Sequence, residues 1–457
     1  MYKKLSIAAF CLMAALQANA QNDNNQWSLE ECISYAKDKN IQVQMSQLNV
    51  RESHETIQNA KEQRLPSVNA SVGENFSRGL SFDVFTNQPV TDNVWTTNFN
   101  LNAGVTLFNG FRIKNNISKS QTDAEANLLD MQKTENDISL QVAAAYLQIL
   151  FAEENVSVAQ KRVASNNDQI ERMQKMVEAG ALPLANLLDM QAQKTTNESQ
   201  LITAENQLTM AKLQIKQLLR LEADSPFNIV RPEIGAPESL VFASLGTVYN
   251  SAESHMPEVK SADLRAESAS MSEEIAKGAY LPSLTANAGV TSNYSTNNLV
   301  YKETETGQKI PTTEIVSLGT QLDESLRYYA GLTLRIPIYN NRSAKNQVEI
   351  SRINIERAQL NAQSVRQQLR SDIERAYTEA LAAQKTFIAS SKQVEALTEQ
   401  FRTIENRYNN GAANATDYTV AQNNLNIAQA ELIRAKYDYV FKSKVLDFYQ
   451  GRPIILN

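Results

Sequence analysis

The chain has 457 residues, in which 44 lysines and arginines stand against 50 aspartates and glutamates, so its formal net charge is −6. A net acidic chain argues against nucleic acid as a partner, since that partner needs a basic face. Of the two cysteines, Cys11 lies in the N-terminal segment and Cys32 has no partner beyond it, which excludes an internal disulfide framework.

The N-terminus has the composition of a secretory signal peptide. Lys3 and Lys4 precede an apolar stretch over residues 5–16, and residues 18–20 (Ala-Asn-Ala) match the small-residue cleavage pattern. We predict that residues 1–20 are removed, which leaves 437 of 457 residues and, without the two lysines, changes the charge from −6 to −8. An uncleaved anchor is the alternative, but about twelve apolar residues are too few to span a bilayer.

A lipid anchor on Cys11 is not predicted, because Phe10 stands where a lipidation signal needs a small residue. Beyond residue 20 no apolar run is long enough for a membrane-spanning helix. If the mature protein sits in a membrane, it must therefore do so as a β-barrel.

Two helical patterns follow, and each occurs twice. Residues 28–64 have helical apolar spacing, with Ser28 and Glu31 as a capping box, and the pattern recurs 216 positions later. A long helix, a tight turn and a shorter return helix are predicted over residues 111–220, and they recur 231 positions later.

This internal self-similarity predicts two structural repeats, residues 21–235 and residues 236–457. Each repeat contains a helix, a strand pair, a long helix and a return helix.

Apolar and polar residues alternate in four stretches between these helices, which predicts strand pairs within residues 66–108 and 282–339. The four stretches are Val68–Phe76, Phe99–Leu107, Leu284–Val290 and Ala330–Ile338. Aromatic residues bracket the second and fourth strands, as is typical of outer-membrane strands: Trp95, Phe108, Tyr328 and Tyr339. An ordinary soluble hairpin packed on the helices is the alternative.

The connections within the strand pairs, residues 77–93 and 296–324, are polar and rich in Asn, Thr, Gly and Ser, which predicts exposed loops. The two repeat offsets differ by 15, so the second copy carries fifteen extra residues between Ser283 and Tyr339. We expect that insertion in the second loop.

Helix lengths predict the architecture. A helix over residues 111–178 would be about 100 Å long and its return helix about 55 Å, so the helix over residues 28–64 must cover the remainder. Four strands cannot close a barrel, and open strand edges are not tolerated in lipid. We expect a mainly α chain whose trimer forms a 12-stranded transmembrane β-barrel and a hollow helical cylinder. A solid two-helix coiled coil without a tunnel stays open as an alternative.

Short motifs occur in the same order in both copies. They are Arg64-Leu65-Pro66-Ser67, Tyr280-Leu281-Pro282-Ser283, Leu107-Phe108-Asn109-Gly110, Ile336-Pro337-Ile338-Tyr339-Asn340 and the second tip from Tyr408 to Gln422. In these motifs the chain resembles the TolC-like outer membrane efflux proteins (the outer membrane factor family) over essentially its full mature length.

The resemblance implies a homotrimeric channel-tunnel, with a β-barrel in the lipid of the cell outer membrane, extracellular loops and a long periplasmic α-helical barrel. It also implies two partners, a periplasmic adaptor (membrane fusion) protein and an inner-membrane transporter of the RND or ABC type.

The resemblance further implies a periplasmic gate ringed by carboxylates near the helix tips. Asp417 matches the first such position, whereas Val420 stands where a second aspartate is often found. In the first copy Asn186 replaces a partner aspartate, and Asp189 lies one turn further on. The alternative for Asp417 and Asp189 is a solvated acid near the positive start of a helix.

The family's tip also closes through a tyrosine and an arginine. Tyr408 matches the tyrosine, but Ala413 stands where the arginine would be, so the closing bonds of this chain must differ.

Both tips contain a glycine where a long helix ends, Gly180 and Gly411, and a helix end of this kind needs a left-handed residue. Pro183 suits the first turn of the helix that follows. Leu184 and Ala412 contribute to an apolar tip, which by the resemblance is the adaptor contact.

No nucleophile–base pair, phosphate loop or metal-ligand spacing occurs, and His54 and His255 have no counterparts in the repeat. We predict no enzyme activity, no cofactor and no metal site. The predicted function is a passive export duct of a tripartite efflux or type I secretion system. A non-conducting trimeric spacer or adhesin of the outer membrane is the alternative, and a periplasmic adaptor is a weaker third.

Overall fold

The computed structural model describes residues 26–82, 89–232, 243–305, 307, 309–410 and 412–454. The predicted signal peptide and Gly411 lie outside the described residues.

The two halves of the chain share the order of two helices, a pair of main-sheet strands, a long helix and a return helix, and each half has further short elements. The first half contains β1 (Gln26–Trp27), α1 (Leu29–Lys39), α2 (Ile41–Glu62), β2 (Ser67–Phe82), β3 (Pro89–Asn109), α3 (Arg112–Glu178), α4 (Leu184–Leu219) and β4 (Asn228–Ile229). The second half contains α5 (Leu245–His255), α6 (Pro257–Lys277), β5 (Ser283–Ser295), β6 (Leu299–Glu303), β7 (Lys309–Ile315), α7 (Leu318–Glu324), β8 (Arg327–Arg335), α8 (Ser343–Asn409) and α9 (Ala415–Tyr449).

The chain forms two compact units. Of the described residues, one unit consists of those up to Asn49, from Asn127 to Ser261 and from Ala362 onward, and the other of those from Val50 to Ala126 and from Ala262 to Asn361. Each unit therefore contains segments of both halves of the sequence. The first unit is built from helices, and the second contains the main sheet.

The long helices α3 and α8 each have 67 residues, so each is about 100 Å long. The return helices α4 and α9 have 36 and 35 residues. The predicted hairpins are thus confirmed, except that the first long helix begins at Arg112, because Phe111 has a left-handed φ of 61°.

The prediction of one unbroken helix over residues 28–64 is wrong, because the helix breaks at Asn40. The Asn40 backbone is extended, its Oδ1 accepts a hydrogen bond from the Gln42 amide (2.9 Å), and its Nδ2 donates to the Leu218 carbonyl (3.1 Å). The same break occurs 216 positions later at Met256, which precedes Pro257 and is therefore forced out of the helical region. The capping box of Ser28 and Glu31 is present as predicted.

Within the helical unit, α3 packs against both return helices. Phe151 of α3 contacts the ring of Tyr437 on α9 with centroids 6.3 Å apart, and Asn166 of α3 contacts Met190 on α4. In α8, Phe387 stacks on Tyr439 of α9 at 6.0 Å. The four helices therefore pack in the order α4, α3, α9 and α8.

A buried tyrosine ties the N-terminal segment to this unit. The Tyr146 hydroxyl contacts the carbonyl oxygens of Trp27 and Val230, which flank the short parallel pair of β1 and β4. The ring is only 2% exposed, and burial raises the pKa of its hydroxyl above the ordinary value. The sequence did not predict this pair of strands.

The main sheet has the strand order β2-β3-β5-β8, and every neighbouring pair is antiparallel. One face is apolar and exposed in the single chain, with Val72 68%, Leu332 69% and Tyr328 74% accessible. The four predicted strands and their apolar face are therefore confirmed.

The predicted loops are partly wrong. Strand β2 continues to Phe82 and strand β3 begins at Pro89. Most of residues 77–93 is therefore strand and not loop. The second connection contains the hairpin of β6 and β7 and the helix α7, where Gln321 is 2% exposed and bonds the Ser295 backbone at both its amide and its carbonyl. Strand β8 ends at Arg335, because Pro337 cannot donate to a ladder.

No helix of the described residues is long and apolar enough to cross a membrane.

Two glycines meet backbone to backbone in the unit that contains the sheet. Gly110 has a φ of +66°, and a Cβ at this position would lie 2.4 Å from the Gly278 carbonyl oxygen. A Cβ on Gly278 would lie 2.6 Å from the Gly110 carbonyl oxygen. Neither backbone atom can move aside cheaply, so both glycines are required by close approach.

We predict that Gly278→Ala lowers the free energy of unfolding by about 1–3 kcal/mol, because the added methyl group overpacks a fixed backbone contact. Gly246→Ala is the matched control, since a Cβ there meets nothing within 4 Å and alanine favours the helix. Unfolding of detergent-solubilised protein by tryptophan fluorescence measures both variants. Equal midpoints for Gly278→Ala and wild type would contradict the close contact.

Candidate functional site

The first helix turn closes as a Schellman motif at Gly180. Its φ is +71°, its amide donates to the Val177 carbonyl at 2.9 Å, and the Ala181 amide donates to the Met176 carbonyl at 2.8 Å. A Cβ on Gly180 would meet nothing within 4 Å. Glycine is therefore favoured here because the backbone is left-handed, and not because a side chain would clash with a neighbour.

The proline of this turn lies one place earlier than predicted. Pro183 is the N-cap of α4, and its carbonyl accepts from the Asn186 amide at 3.1 Å. Leu184 is then the first helical residue and is 58% exposed, with Leu188 55% and Met176 46% exposed nearby in sequence. The tip thus presents apolar side chains to its surroundings.

The second turn is held by both backbone and side-chain bonds. The Ala412 amide donates to the Arg407 carbonyl at 2.7 Å, and the Arg407 Nη2 donates back to the Ala412 carbonyl at 3.3 Å. Asn414 caps α9 by accepting from the Asp417 amide at 2.8 Å. The expectation for Gly411 falls outside the described residues.

The two candidate gate carboxylates occupy different helix positions. Asp417 is the third residue of α9 and is exposed, where a negative charge is favourable near the helix start. Asp189 is exposed too, but it is the sixth residue of α4 and lies beyond the first turn. Among the described residues no hydrogen bond or ion pair joins Asp189 to Asp417.

Tyr408 belongs to an aromatic stack that spans the second turn. Its ring stacks on Tyr418 with centroids 4.9 Å apart and planes 28° apart, and Tyr418 also contacts Phe401 at 5.4 Å. Burial, and after it the charge of Glu405, raises the pKa of Tyr418, while Arg172 acts in the opposite direction. Tyr408 thus stacks within its own hairpin, across a tip that lacks the family's arginine at Ala413.

The sequence did not predict Tyr418 as the partner of Tyr408. The signal was present, because Phe401, Tyr408 and Tyr418 are the aromatic residues next to the turn. Helical spacing places the first two on one face of α8, seven residues apart.

A layer of polar side chains lies in the helix interface near these turns, and it too was not predicted. The Ser165 hydroxyl donates to the Gln422 Oε1 at 2.8 Å, which links α3 to α9. The Asn166 side chain is 5% exposed and contacts the Met190 sulfur at 2.9 Å, which links α3 to α4.

Among the described residues no group of three or more His, Cys, Asp or Glu side chains could hold a metal ion. His255 is committed to local bonds, with Nδ1 2.9 Å from the Ser251 carbonyl oxygen and 2.8 Å from the Ser254 hydroxyl.

Paired helical hairpins of this length with an antiparallel sheet are the fold of solved outer-membrane channel proteins. A solved structure of the transmembrane channel CusC matches with a TM-score of 0.74 at 15% identity, over 93% of this chain and 92% of that one. The outer membrane protein VceC of Vibrio cholerae matches with a TM-score of 0.73 at 16% identity, over 93% of this chain and 97% of that one.

The chain belongs to the outer membrane efflux protein family, whose profile matches residues 32–219 and 248–452. It is 22% identical over 423 residues to the outer membrane efflux protein BepC of Brucella suis, which covers 90% of this chain and 83% of that protein. The family and these relatives place the protein in the outer membrane and confirm the resemblance seen in the sequence.

We predict that Gly180→Val destabilises the tip by about 1–2 kcal/mol, because a β-branched residue is strained in the left-handed region. Gly180→Asn is the matched control, since asparagine tolerates that conformation and the site has room for a side chain. Protease cleavage at the tip, followed over time on folded protein, measures local opening. Equal cleavage rates for the valine and asparagine variants would contradict the assigned turn.

Proposed function

We propose that the protein is the outer-membrane channel of a tripartite efflux or type I secretion system and acts as a passive export duct. In this proposal it assembles as a homotrimer, and its substrates pass from an adaptor and an inner-membrane transporter of the RND or ABC type to the exterior. The observation that carries the proposal is an exposed apolar sheet face between two open strand edges.

The edges support a trimer. Among the described strands β2 and β8 each have one neighbour, so half of their backbone groups have no ladder partner. Such groups are costly in lipid, and pairing β2 of one chain with β8 of the next satisfies both edges. Three chains supply twelve strands, which is enough to close a sheet.

The exposed side chains support contact with outer-membrane lipid on the apolar face. Val68, Val72, Leu332 and Leu334 are between 60% and 69% exposed in the single chain. Covering a side chain of this size stabilises by roughly 1.5–3 kcal/mol. Trp95 packs on Phe76 with centroids 4.9 Å apart, and such aromatic pairs suit the membrane interface.

The helix tips support docking of a periplasmic adaptor. Met176, Leu184 and Leu188 leave an apolar, solvent-exposed turn at the first tip. Gly180 and Pro183 fix the turn that presents these side chains. Ala412 and Gly411 are the corresponding proposed contacts at the second tip.

We predict that the mature protein extracted in detergent has three times the mass of one chain by multi-angle light scattering. Heating should convert it to the single-chain mass. A monomer that is stable before heating, with every strand edge protected from hydrogen exchange, would contradict the trimer.

We predict that the trimer conducts and that trivalent cations added on the periplasmic side block it. Three exposed Asp417 side chains around one axis would attract cations, and a multivalent ion could bridge them. In Asp417→Ala the block should weaken by at least about tenfold, equivalent to about 1.4 kcal/mol of lost binding.

Asp189→Ala is the matched control for this measurement. Loss of block in Asp417→Ala alone indicates a single carboxylate ring, and loss in either variant indicates a joint one. Identical block in wild type and Asp417→Ala would show that Asp417 is a solvated helix-start acid. A folded trimer that never conducts would favour the spacer or adhesin instead.

A further inference from the structure

The strand register defines a second sheet face opposite the apolar one, here named the polar face. Side chains alternate between the two faces along each strand, and residues directly opposite each other in neighbouring strands share a face. The polar face therefore contains Asn102, the residues in its cross-strand row and every second residue along each strand from that row. Cross-strand rows follow from the pairings Asn69–Asn102–Gly289–Tyr329 and Ser71–Asn100–Thr291–Arg327. Asparagine, serine, threonine and glycine make up nearly all of these positions.

Side-chain contacts across three strands give the polar face a defined surface. The Tyr329 hydroxyl donates to the Asn102 side-chain oxygen two strands away. A Cβ on Gly289 would lie 2.6 Å from the Tyr329 ring, so the ring lies flat over this glycine. A Cβ on Gly104 would lie 3.1 Å from the Asn287 Oδ1, which places that amide on the same surface. The tyrosine is thereby held along the sheet instead of projecting from it.

Among the strand residues whose side chains the structure describes, the charged ones on the polar face are Arg327 and Arg335, both positive and both exposed. Asp92, whose side chain is outside that set, occupies a position of this face by its pairing with Gly79. It lies eight positions along β3 from Asn100, the residue in the row of Arg327. Two other charged residues of the sheet, Glu74 and Arg78, belong to the apolar face. In the strand register they lie opposite Thr97 and Asn93.

Nearby acids do not neutralise the two arginines. No salt bridge of Arg327 or Arg335 occurs among the described residues. The helix α7, which carries Asp323 and Glu324, contacts β5 through Ser292, a residue of the apolar face. The positive charges of the polar face therefore stand among neutral amides and hydroxyls.

We propose that the polar face lines the exit segment of the duct and that Arg327 and Arg335 make this segment select for anionic and uncharged solutes over cationic ones. The proposal rests on the proposed function, because only a closed sheet turns this face toward a lumen. Three chains then place two rings of three guanidinium groups in the duct, one at each end of β8 and about 26 Å apart. Positive rings inside low-dielectric walls raise the local concentration of anions. The neutral amides supply hydrogen bonds without opposing charge.

The test is single-channel conductance with hexametaphosphate added on the external side, in low salt where screening is weak. Wild type should be blocked. The block should weaken on the order of tenfold in Arg327→Gln with Arg335→Gln, and Arg327→Lys should retain it because it keeps the charge. Arg78→Gln is the matched control, since it removes the same charge from the opposite face of the same sheet.

Unchanged block in the double variant, or an equal loss in Arg78→Gln, would overturn the inference. If the double variant does not assemble, wild type decides: block that falls as salt rises supports the inference, and absence of block in low salt overturns it. A trimer that conducts without polyanion block refutes the inference alone, whereas a trimer without conductance refutes the proposed function as well.

Discussion

The unpaired edges of the four-stranded sheet are the constraint on which the rest of the structure depends. Each free amide or carbonyl along β2 or β8 costs several kcal/mol in hydrocarbon. A chain that contributes four antiparallel strands can join its copies edge to edge without breaking the alternation of strand direction. The even strand number therefore makes cyclic closure possible.

The two helical hairpins have nearly equal lengths but different tips. Both long helices have 67 residues, and the return helices have 36 and 35. The tips are free to diverge because a turn needs little beyond its backbone geometry. At the first tip Pro183 caps the return helix without a side-chain bond, whereas at the second tip the Asn414 side-chain oxygen accepts from the Asp417 amide. Only the second tip has an aromatic residue on each side of its turn, and there Tyr408 stacks on Tyr418.

Local patterns were enough to predict most of the fold. Helix periodicity, the capping box at Ser28, strand alternation and two constant offsets predicted both hairpins and all four strands of the main sheet. The break at Asn40 was missed because it depends on a bond to Leu218, a residue 178 positions away. The hairpin and helix within the second connection were missed because their anchor, Gln321, is a polar residue buried by tertiary contacts. Polar composition predicts exposure only when no such anchor is present.

The candidate site was less predictable because its contacts depend on how the helices pack. Tyr408 could be identified as a tip residue, but its stacking on Tyr418 depends on how α8 and α9 pack. The same holds for Ser165 and Gln422, which are 257 positions apart and join the two repeats by one hydrogen bond. A buried polar pair contributes only about 1 kcal/mol, yet leaving one partner unsatisfied costs more. The pair therefore favours one alignment of α3 and α9, because a shift of either helix along its axis would leave both side chains without a partner.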